Sequence, residues 1–221
     1  MTTEDEMKRL SHSEDAYRLL SEMIDSCITT PIGISVYDMH IGDYQYILHR
    51  LRVVTYGSDY KVQSVCPICQ NRDEYSIDLD SLEVQEFNEE DFAKYSSFTL
   101  PKSQKQVEIK FITPRLLDQI EAKKREYNRK STAISKVDNS LLYTITALIK
   151  SIDGKVYDPI KLEQLVRKLP LADTNAILKY GDKLNSLVGL KAVFQTSCSL
   201  CGVDYNVPFR LTSEFFGPSL D

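Results

Sequence analysis

Two Cys-x-x-Cys pairs constrain the fold of this chain more than any other feature of its sequence. Cys66 and Cys69 form the first pair, Cys198 and Cys201 form the second, and 128 residues separate the pairs. Alternating apolar and polar residues flank each pair, which is the pattern of half-buried β-strands. The sequence therefore predicts two similar β-hairpins, each with two thiols at its turn.

Four thiolates from two such turns match the tetrahedral sulfur set that a structural Zn²⁺ ion prefers. Pro67 constrains the first turn, and Gly202 follows the second turn, where a residue that tolerates positive φ is needed. We therefore predict that the four cysteines of the two pairs form one zinc site. Clustered cysteines in a reducing compartment more often bind metal or perform redox chemistry than form disulfides.

The residues alone leave three other interpretations of these cysteines open. Iron in a rubredoxin-like site would use the same four ligands. Cys66-Pro67-Ile68-Cys69 resembles a glutaredoxin-type redox turn, although the residues after it alternate like a strand instead of opening a helix. The third interpretation is two unrelated pairs. The fifth cysteine, Cys27, lies on the apolar side of a predicted helix and is interpreted as core packing.

The long separation of the pairs predicts that folded structure lies between them, because compact zinc modules usually close a much shorter loop. The predicted fold class is α+β: a zinc ribbon assembled from two distant hairpins, with a mainly helical inserted domain and an N-terminal helical segment. The predicted boundaries are 1–58 for the N-terminal helical segment, 59–86 for the first half of the ribbon, 87–189 for the inserted β-hairpin and helical domain, and 190–221 for the second half of the ribbon and the C-terminal tail.

Apolar periodicity and capping residues predict the elements inside this framework. Helices are expected over residues 13–28, 43–55, 115–130, 139–151, 158–168 and 173–185, and a hairpin over 98–100 and 107–111. Ser13, Asp158 and Asp173 are the predicted N-caps, because their side chains can accept a hydrogen bond from the first helical turn.

Two segments have strongly biased charge. Residues 73–91 contain nine acidic side chains and no basic one, and we interpret them as a solvated face, with an acidic docking strip as the alternative. The predicted helix over 115–130 is basic, with Lys123, Lys124, Arg125, Arg129 and Lys130. Its few aromatic residues and its interspersed carboxylates favour a solvated helix over a nucleic-acid interface.

The remaining sequence predicts a soluble, intracellular protein that is not an enzyme. The N-terminus is acidic and polar, unlike a secretory signal, and the longest apolar segment, 141–149, is too short to span a membrane. The three histidines are scattered, and no glycine-rich phosphate loop is present. Four cysteine ligands would also leave no open coordination position for an activated water.

The order and spacing of several segments resemble the T4-type bacteriophage baseplate hub proteins. These segments are "DYQYILHRLRVVTYGSDY", the "CPIC" turn followed by "IDLDSLEV", and the distal "CSLCG" followed by "FFGPS". The resemblance covers residues 30–218. It implies a structural or assembly component of a contractile-tail baseplate hub, present in the host cytoplasm during assembly or in the virion tail.

The resemblance also implies that the partners are other baseplate or tail hub proteins, and the only residues transferred from it are the four cysteines. Phe215 and Phe216 are candidate partner-binding anchors, because two aromatic residues near a chain end can insert into a groove on another protein. Packing of these rings against the protein's own ribbon is the alternative. A nucleic-acid-binding zinc ribbon is the second functional hypothesis. Copy number and permanence in the particle stay open.

Overall fold

The computed structural model describes residues 15–29, 31, 33–130, 139–191, 193–208 and 215, and it mixes helices with short antiparallel strands. The helices are α1 (Ala16–Cys27), α2 (Ile41–Tyr56), α3 (Glu89–Ser96), α4 (Pro114–Lys130), α5 (Ser140–Leu148), α6 (Pro159–Val166) and α7 (Leu171–Asn185). Short 3₁₀ turns lie at Val36–Asp38 and Leu79–Ser81. Among these described helices, none combines the length and apolar character that crossing a membrane would need.

The described strands form four small antiparallel sheets. The strands are β1 (Asp59–Val65), β2 (Arg72–Asp78), β3 (Val84–Gln85), β4 (Ser97–Thr99), β5 (Gln106–Ile109), β6 (Ile149–Ile152), β7 (Gly189–Leu190), β8 (Val193–Ser197) and β9 (Asp204–Pro208). β1 pairs with β2 and β8 pairs with β9, so both predicted cysteine-flanking hairpins are present. β3 pairs with the distant β7, and β4, β5 and β6 form a three-stranded sheet.

The region between the hairpins has its own apolar core. The sheet β4-β5-β6 packs with α4, α5, α6 and α7 around a set of buried aliphatic side chains. Its most deeply buried members are Leu100, Val107, Ile145, Ile177 and Leu184. Burial of this apolar surface is the main stabilising contribution to the inserted region.

The predicted helix over 139–151 is shorter in the structure. α5 ends at Leu148, and the next four residues form β6, in which Ile149 lies opposite Ile109 of β5. Isoleucine is β-branched and packs well on a pleated surface, so pairing with β5 overrides the helical periodicity at this end. The prediction for residues 149–151 was therefore wrong.

The predicted caps have different outcomes. Asp158 caps α6 by accepting a hydrogen bond from the N–H of Lys161 at 3.0 Å, as predicted. Asp173 is not a cap, because α7 begins at Leu171 and Asp173 lies inside its first turn. Its fully buried carboxylate instead accepts the N–H groups of Lys102 at 2.7 Å and Ser103 at 3.0 Å, which tethers the β4–β5 turn to α7.

The start of α1 is held by a residue about 100 positions away. Ser13, the predicted cap, lies outside the described residues, and Asp15 in the N-cap position makes no side-chain capping bond. Asp118 of α4 is buried and accepts hydrogen bonds from the N–H groups of Tyr17 at 3.3 Å and Arg18 at 2.9 Å. A carboxylate there satisfies two N–H groups that the helix itself leaves unpaired.

A second apolar core joins α1 and α2 to the hairpins. Its fully buried members include Met23, Ile24, Leu48 and Leu79. Aromatic residues of β1 and β8 pack against this core, so the two hairpins share it with the N-terminal helices. The domain boundaries given above stay a prediction.

Candidate metal centre

The two cysteine turns have the same backbone arrangement. In each turn the N–H of the first cysteine donates to the carbonyl five residues later, at 2.8 Å in the first turn and 2.9 Å in the second. The N–H four residues later donates back to the carbonyl of the first cysteine. The residue after each pair has a positive φ, +60° at Gln70 and +70° at Gly202. The need for Gly202 was predicted, whereas the left-handed conformation of Gln70 was not.

The structure brings the four predicted ligand residues together. Sγ of Cys66 lies 3.7 Å from Sγ of Cys201, and Sγ of Cys69 lies 3.5 Å from Sγ of Cys198. All four sulfur atoms lie within 4.8 Å of one another. Tetrahedral zinc with Zn–S bonds of about 2.3 Å would place its sulfurs about 3.8 Å apart. The donor set and its spacing therefore fit a tetrahedral metal ion without a large rearrangement.

The thiols differ in how readily they lose a proton. The N–H of Cys69 donates to the sulfur of Cys66 and lowers the pKa of Cys66 to about 7. Although the N–H of Asn71 favours its thiolate, burial and the neighbouring sulfurs raise the pKa of Cys69 to about 12. Although the N–H of Val203 favours its thiolate, burial and the sulfurs of Cys198 and Cys66 also raise the pKa of Cys201. One thiolate thus forms easily, while four in this volume need a cation to offset their repulsion.

A polar network around Asp73 links the two turns beside the sulfurs. Asp73 accepts the N–H of Ser199 at 3.1 Å and its hydroxyl at 2.6 Å, and these bonds lower the pKa of Asp73. Asn71 donates to Asp73 at 2.8 Å and to Ser199 at 3.2 Å. Tyr75 donates to Asp73 at 2.9 Å, and its hydroxyl lies 3.2 Å from that of Tyr205. Sequence reasoning missed this network, because its two sides are more than 120 residues apart.

Neither cysteine pair opens a helix. The first pair is followed by β2 and the second by β9, and two close sulfur contacts, at 3.7 Å and 3.5 Å, join one turn to the other. A redox Cys-x-x-Cys turn normally uses a helix N-terminus to stabilise its thiolate. The surroundings of these thiols therefore favour metal binding over dithiol redox chemistry. Cys27 is half-buried on α1 and is not a member of the cluster.

Phe215 lies in the protein's own core. Its side chain is fully buried, its ring lies 5.1 Å from the ring of Tyr60 on β1, and its carbonyl accepts a hydrogen bond from Nε of the buried Arg52 at 3.0 Å. A ring without exposed surface cannot insert into a partner, so the structure supports the alternative that the sequence left open. Phe216 lies outside the described residues.

The basic face of α4 is partly neutralised. Four of its six basic residues contact carboxylates: Arg115 with Asp38 at 2.5 Å, Lys123 with Glu163 at 2.8 Å, Lys124 with Glu121 at 2.6 Å and Arg125 with Asp15 at 3.4 Å. Paired cations have less potential to attract a phosphate backbone, and the charge of this helix therefore gives little support to nucleic-acid binding.

The fold and the site together define a mixed α and β protein in which hairpins from distant parts of the chain join four cysteines that could hold a metal ion. Comparison with protein families places it further. The chain belongs to the family described as T4 bacteriophage base plate protein, whose family model matches residues 1–217. This match confirms the predicted relationship to T4-type baseplate proteins. No curated protein and no solved structure matches the chain significantly.

Proposed function

We propose that this protein is a non-enzymatic structural or assembly component of a contractile-tail baseplate hub, stabilised by a structural Zn²⁺ ion in a zinc ribbon. The approach of all four sulfur atoms to within 4.8 Å is the observation that supports the metal site. The family relationship supports the baseplate role, with other baseplate proteins as partners. Assembly would take place in the host cytoplasm, and the tail baseplate would be the final location.

In this proposal the metal acts as a clamp between the early and late parts of the chain. Cys66 and Cys69 precede the inserted region and Cys198 and Cys201 follow it, so one ion would close a loop that contains the whole helical core. A structural zinc ion contributes on the order of 10 kcal/mol to folding. The entropic cost of closing a long loop grows only logarithmically with its length, and the folded insertion lowers it further.

The clamp would give the protein a rigid surface for recognition. Binding between preformed surfaces avoids the entropic cost of ordering flexible segments, which increases the affinity between subunits. Four sulfur ligands would fill a tetrahedral metal and leave no position for water, so the site has no feature of a catalytic zinc. The proposed function of the protein is therefore to bind other baseplate proteins.

Metal analysis combined with native mass spectrometry tests the proposal. We expect the protein isolated from infected cells to contain one zinc per chain and to co-purify with other baseplate proteins in a complex that persists at high salt. Iron in place of zinc would change the identity of the metal and leave the proposed clamp between the two hairpins unchanged. A metal-free protein with four alkylatable thiols, or one whose principal partner is nucleic acid released by salt, would contradict the proposal.

A further inference from the structure

A groove lies where α2 meets the β3–β7 ladder, on a different part of the molecule from the cysteine cluster. We call it the junction groove. It has a volume of about 420 Å³ and a mostly apolar and aromatic lining, which includes Tyr46, Val84, Phe87, Phe111 and Val188. Pockets of this size can hold several side chains of a bound segment.

The apolar residues of the junction groove are only partly covered by the protein itself. Phe87 is 51% exposed and Val84 is 44% exposed. Behind them, Phe92 lies 5.7 Å from the ring of Phe87 and 5.2 Å from the ring of Phe111, which forms a continuous aromatic surface. Large apolar side chains that stay in contact with water and lie side by side are typical of interaction sites.

The walls of the junction groove are held by contacts that do not need a ligand. The N–H of Ile41 donates to the carbonyl of Ile112 at 2.9 Å. The ring of His40 lies edge-on to Phe111 with centroids 4.4 Å apart. Gly42 packs so closely that a side chain there would collide with the carbonyl of Val188. The groove is therefore largely preformed, which lowers the cost of binding.

The charged side chains that line the junction groove are both acidic. Asp43 and Glu86 are exposed, and neither has an ion-pair partner among the residues that the structure describes. Nearby acidic residues differ, since Asp80 pairs with Arg50 at 2.6 Å and Glu83 with Lys191 at 2.7 Å. The lining contains no lysine or arginine. A ligand with positive charge would thus find two uncompensated carboxylates beside an apolar surface.

We propose that the junction groove binds a segment of another baseplate protein in which a lysine or arginine is flanked by apolar side chains. The apolar side chains would cover Phe87 and Val84, and the cation would lie between Asp43 and Glu86. Charge complementarity at the rim speeds association and selects the partner, while the buried anchors supply most of the affinity. The inference rests on the proposed baseplate function and adds the chemistry of the partner to it.

Photo-crosslinking of the full-length protein in infected cells tests the inference. p-Benzoylphenylalanine in place of Tyr46, which lines the groove and is 37% exposed, should give an adduct with a baseplate protein. The crosslinked peptide, identified by mass spectrometry, should contain a lysine or arginine next to apolar residues. The same replacement at Tyr56 is the matched control, because Tyr56 lies on the same helix, is 38% exposed and does not line the groove.

Binding measurements with the purified partner then test the chemistry. Glu86→Lys and Phe87→Ala should each raise the Kd at least about tenfold, because one reverses the rim charge and the other removes the apolar anchor. Glu74→Lys is the control for charge reversal, since Glu74 is exposed on β2 and does not line the groove. Its Kd should stay within twofold of the wild-type value. Circular dichroism would show that all three variants are folded.

Three results would overturn the inference: an adduct with a second copy of this chain or with its own terminal segment, an adduct whose peptide is acidic, or an unchanged Kd for both groove variants. If the Tyr56 position captures a baseplate protein and the Tyr46 position does not, the groove assignment fails while the baseplate function stands. If neither position captures a baseplate protein and none co-purifies, the proposed function fails as well.

Discussion

Removal of the proposed zinc ion is expected to loosen the two cysteine hairpins while the inserted helical core stays folded. The hairpins meet through the sulfur atoms, the polar network around Asp73 and their contacts with the second apolar core, whereas the core of α4 to α7 is held by its own buried aliphatic side chains. Loss of the ion would therefore remove the strongest link between β1–β2 and β8–β9. We expect a local opening and not a global unfolding.

The contribution of the metal can be compared with that of the hydrogen bonds that would still join the hairpins without it. Four hydrogen bonds join the two hairpins around Asp73 and Tyr75. They lie near the surface, where water competes for the same donors and acceptors, so each adds little to the stability of the contact. A structural zinc contributes on the order of 10 kcal/mol, so the hydrogen bonds cannot replace it.

Hydrogen exchange measured by mass spectrometry, with and without a zinc chelator, checks this expectation. Amides of Asp59–Val65 and Val193–Ser197 should lose at least about a hundredfold of their protection, which corresponds to about 2.7 kcal/mol. Amides of Ser140–Leu148 should keep theirs. Cys198→Ser should reproduce the effect of the chelator, and Cys27→Ser, at a cysteine outside the cluster, should not.

The reasoning would be refuted if the chelator changed neither hairpin, because the sulfur cluster would then not be clamped by a metal. It would also be refuted if hairpins and helical core lost protection together, because the insertion would then depend on the metal for its stability.

Three further substitutions test individual contacts. Asp118→Ala should lower the free energy of unfolding by about 2–4 kcal/mol in urea denaturation, because it leaves the N–H groups at the start of α1 without their buried acceptor; an effect under 0.5 kcal/mol would contradict this. Gln70→Gly should raise the free energy of unfolding by about 1 kcal/mol, because Gln70 has a φ of +60°, which glycine adopts without strain. A free energy of unfolding below that of the wild type would show that contacts of the Gln70 side chain outweigh this strain. Burial lowers the pKa of His49 despite its hydrogen bond to the Leu79 carbonyl, so the unfolded chain binds a proton first and stability should fall as the pH drops below about 6.5. In His49→Gln the loss between pH 7 and 5 should be smaller than in the wild type, and an identical loss would exclude this histidine as its cause.

Local chemistry allowed several elements to be predicted from the sequence. Asp158 before Pro159 specifies the start of α6, because an N-cap and a first-turn proline act within a few residues. The two cysteine turns were recognisable for the same reason, since thiol spacing, flanking alternation and Gly202 are all local features. The pairing of the turns followed from coordination chemistry, because a tetrahedral sulfur site needs four ligands.

The predictions that failed, and the question left open for Phe215, concern residues whose partners are distant in the sequence. Asp173 is a residue type that often caps helices. Its carboxylate instead accepts hydrogen bonds from the backbone N–H groups of Lys102 and Ser103, about 70 residues earlier. For Phe215 the sequence left partner binding and packing against its own ribbon open, and its ring lies buried 5.1 Å from that of Tyr60. Residues 149–151 continue a helical pattern, but β5 offers them a strand to pair with. Periodicity reports local preference and contains no information about which neighbour will be present.

The sequence by itself determined the two thiol turns, most helices and the mixed class of the fold. These depend on neighbouring residues and on the four ligands that a tetrahedral metal ion takes. Only the tertiary structure decided which carboxylates are buried as tethers, which aromatic rings are covered and where the junction groove forms. Those outcomes depend on which surfaces meet as the chain folds. A carboxylate is buried favourably only where donors distant in the sequence reach it, and a ring only where other apolar side chains pack against it.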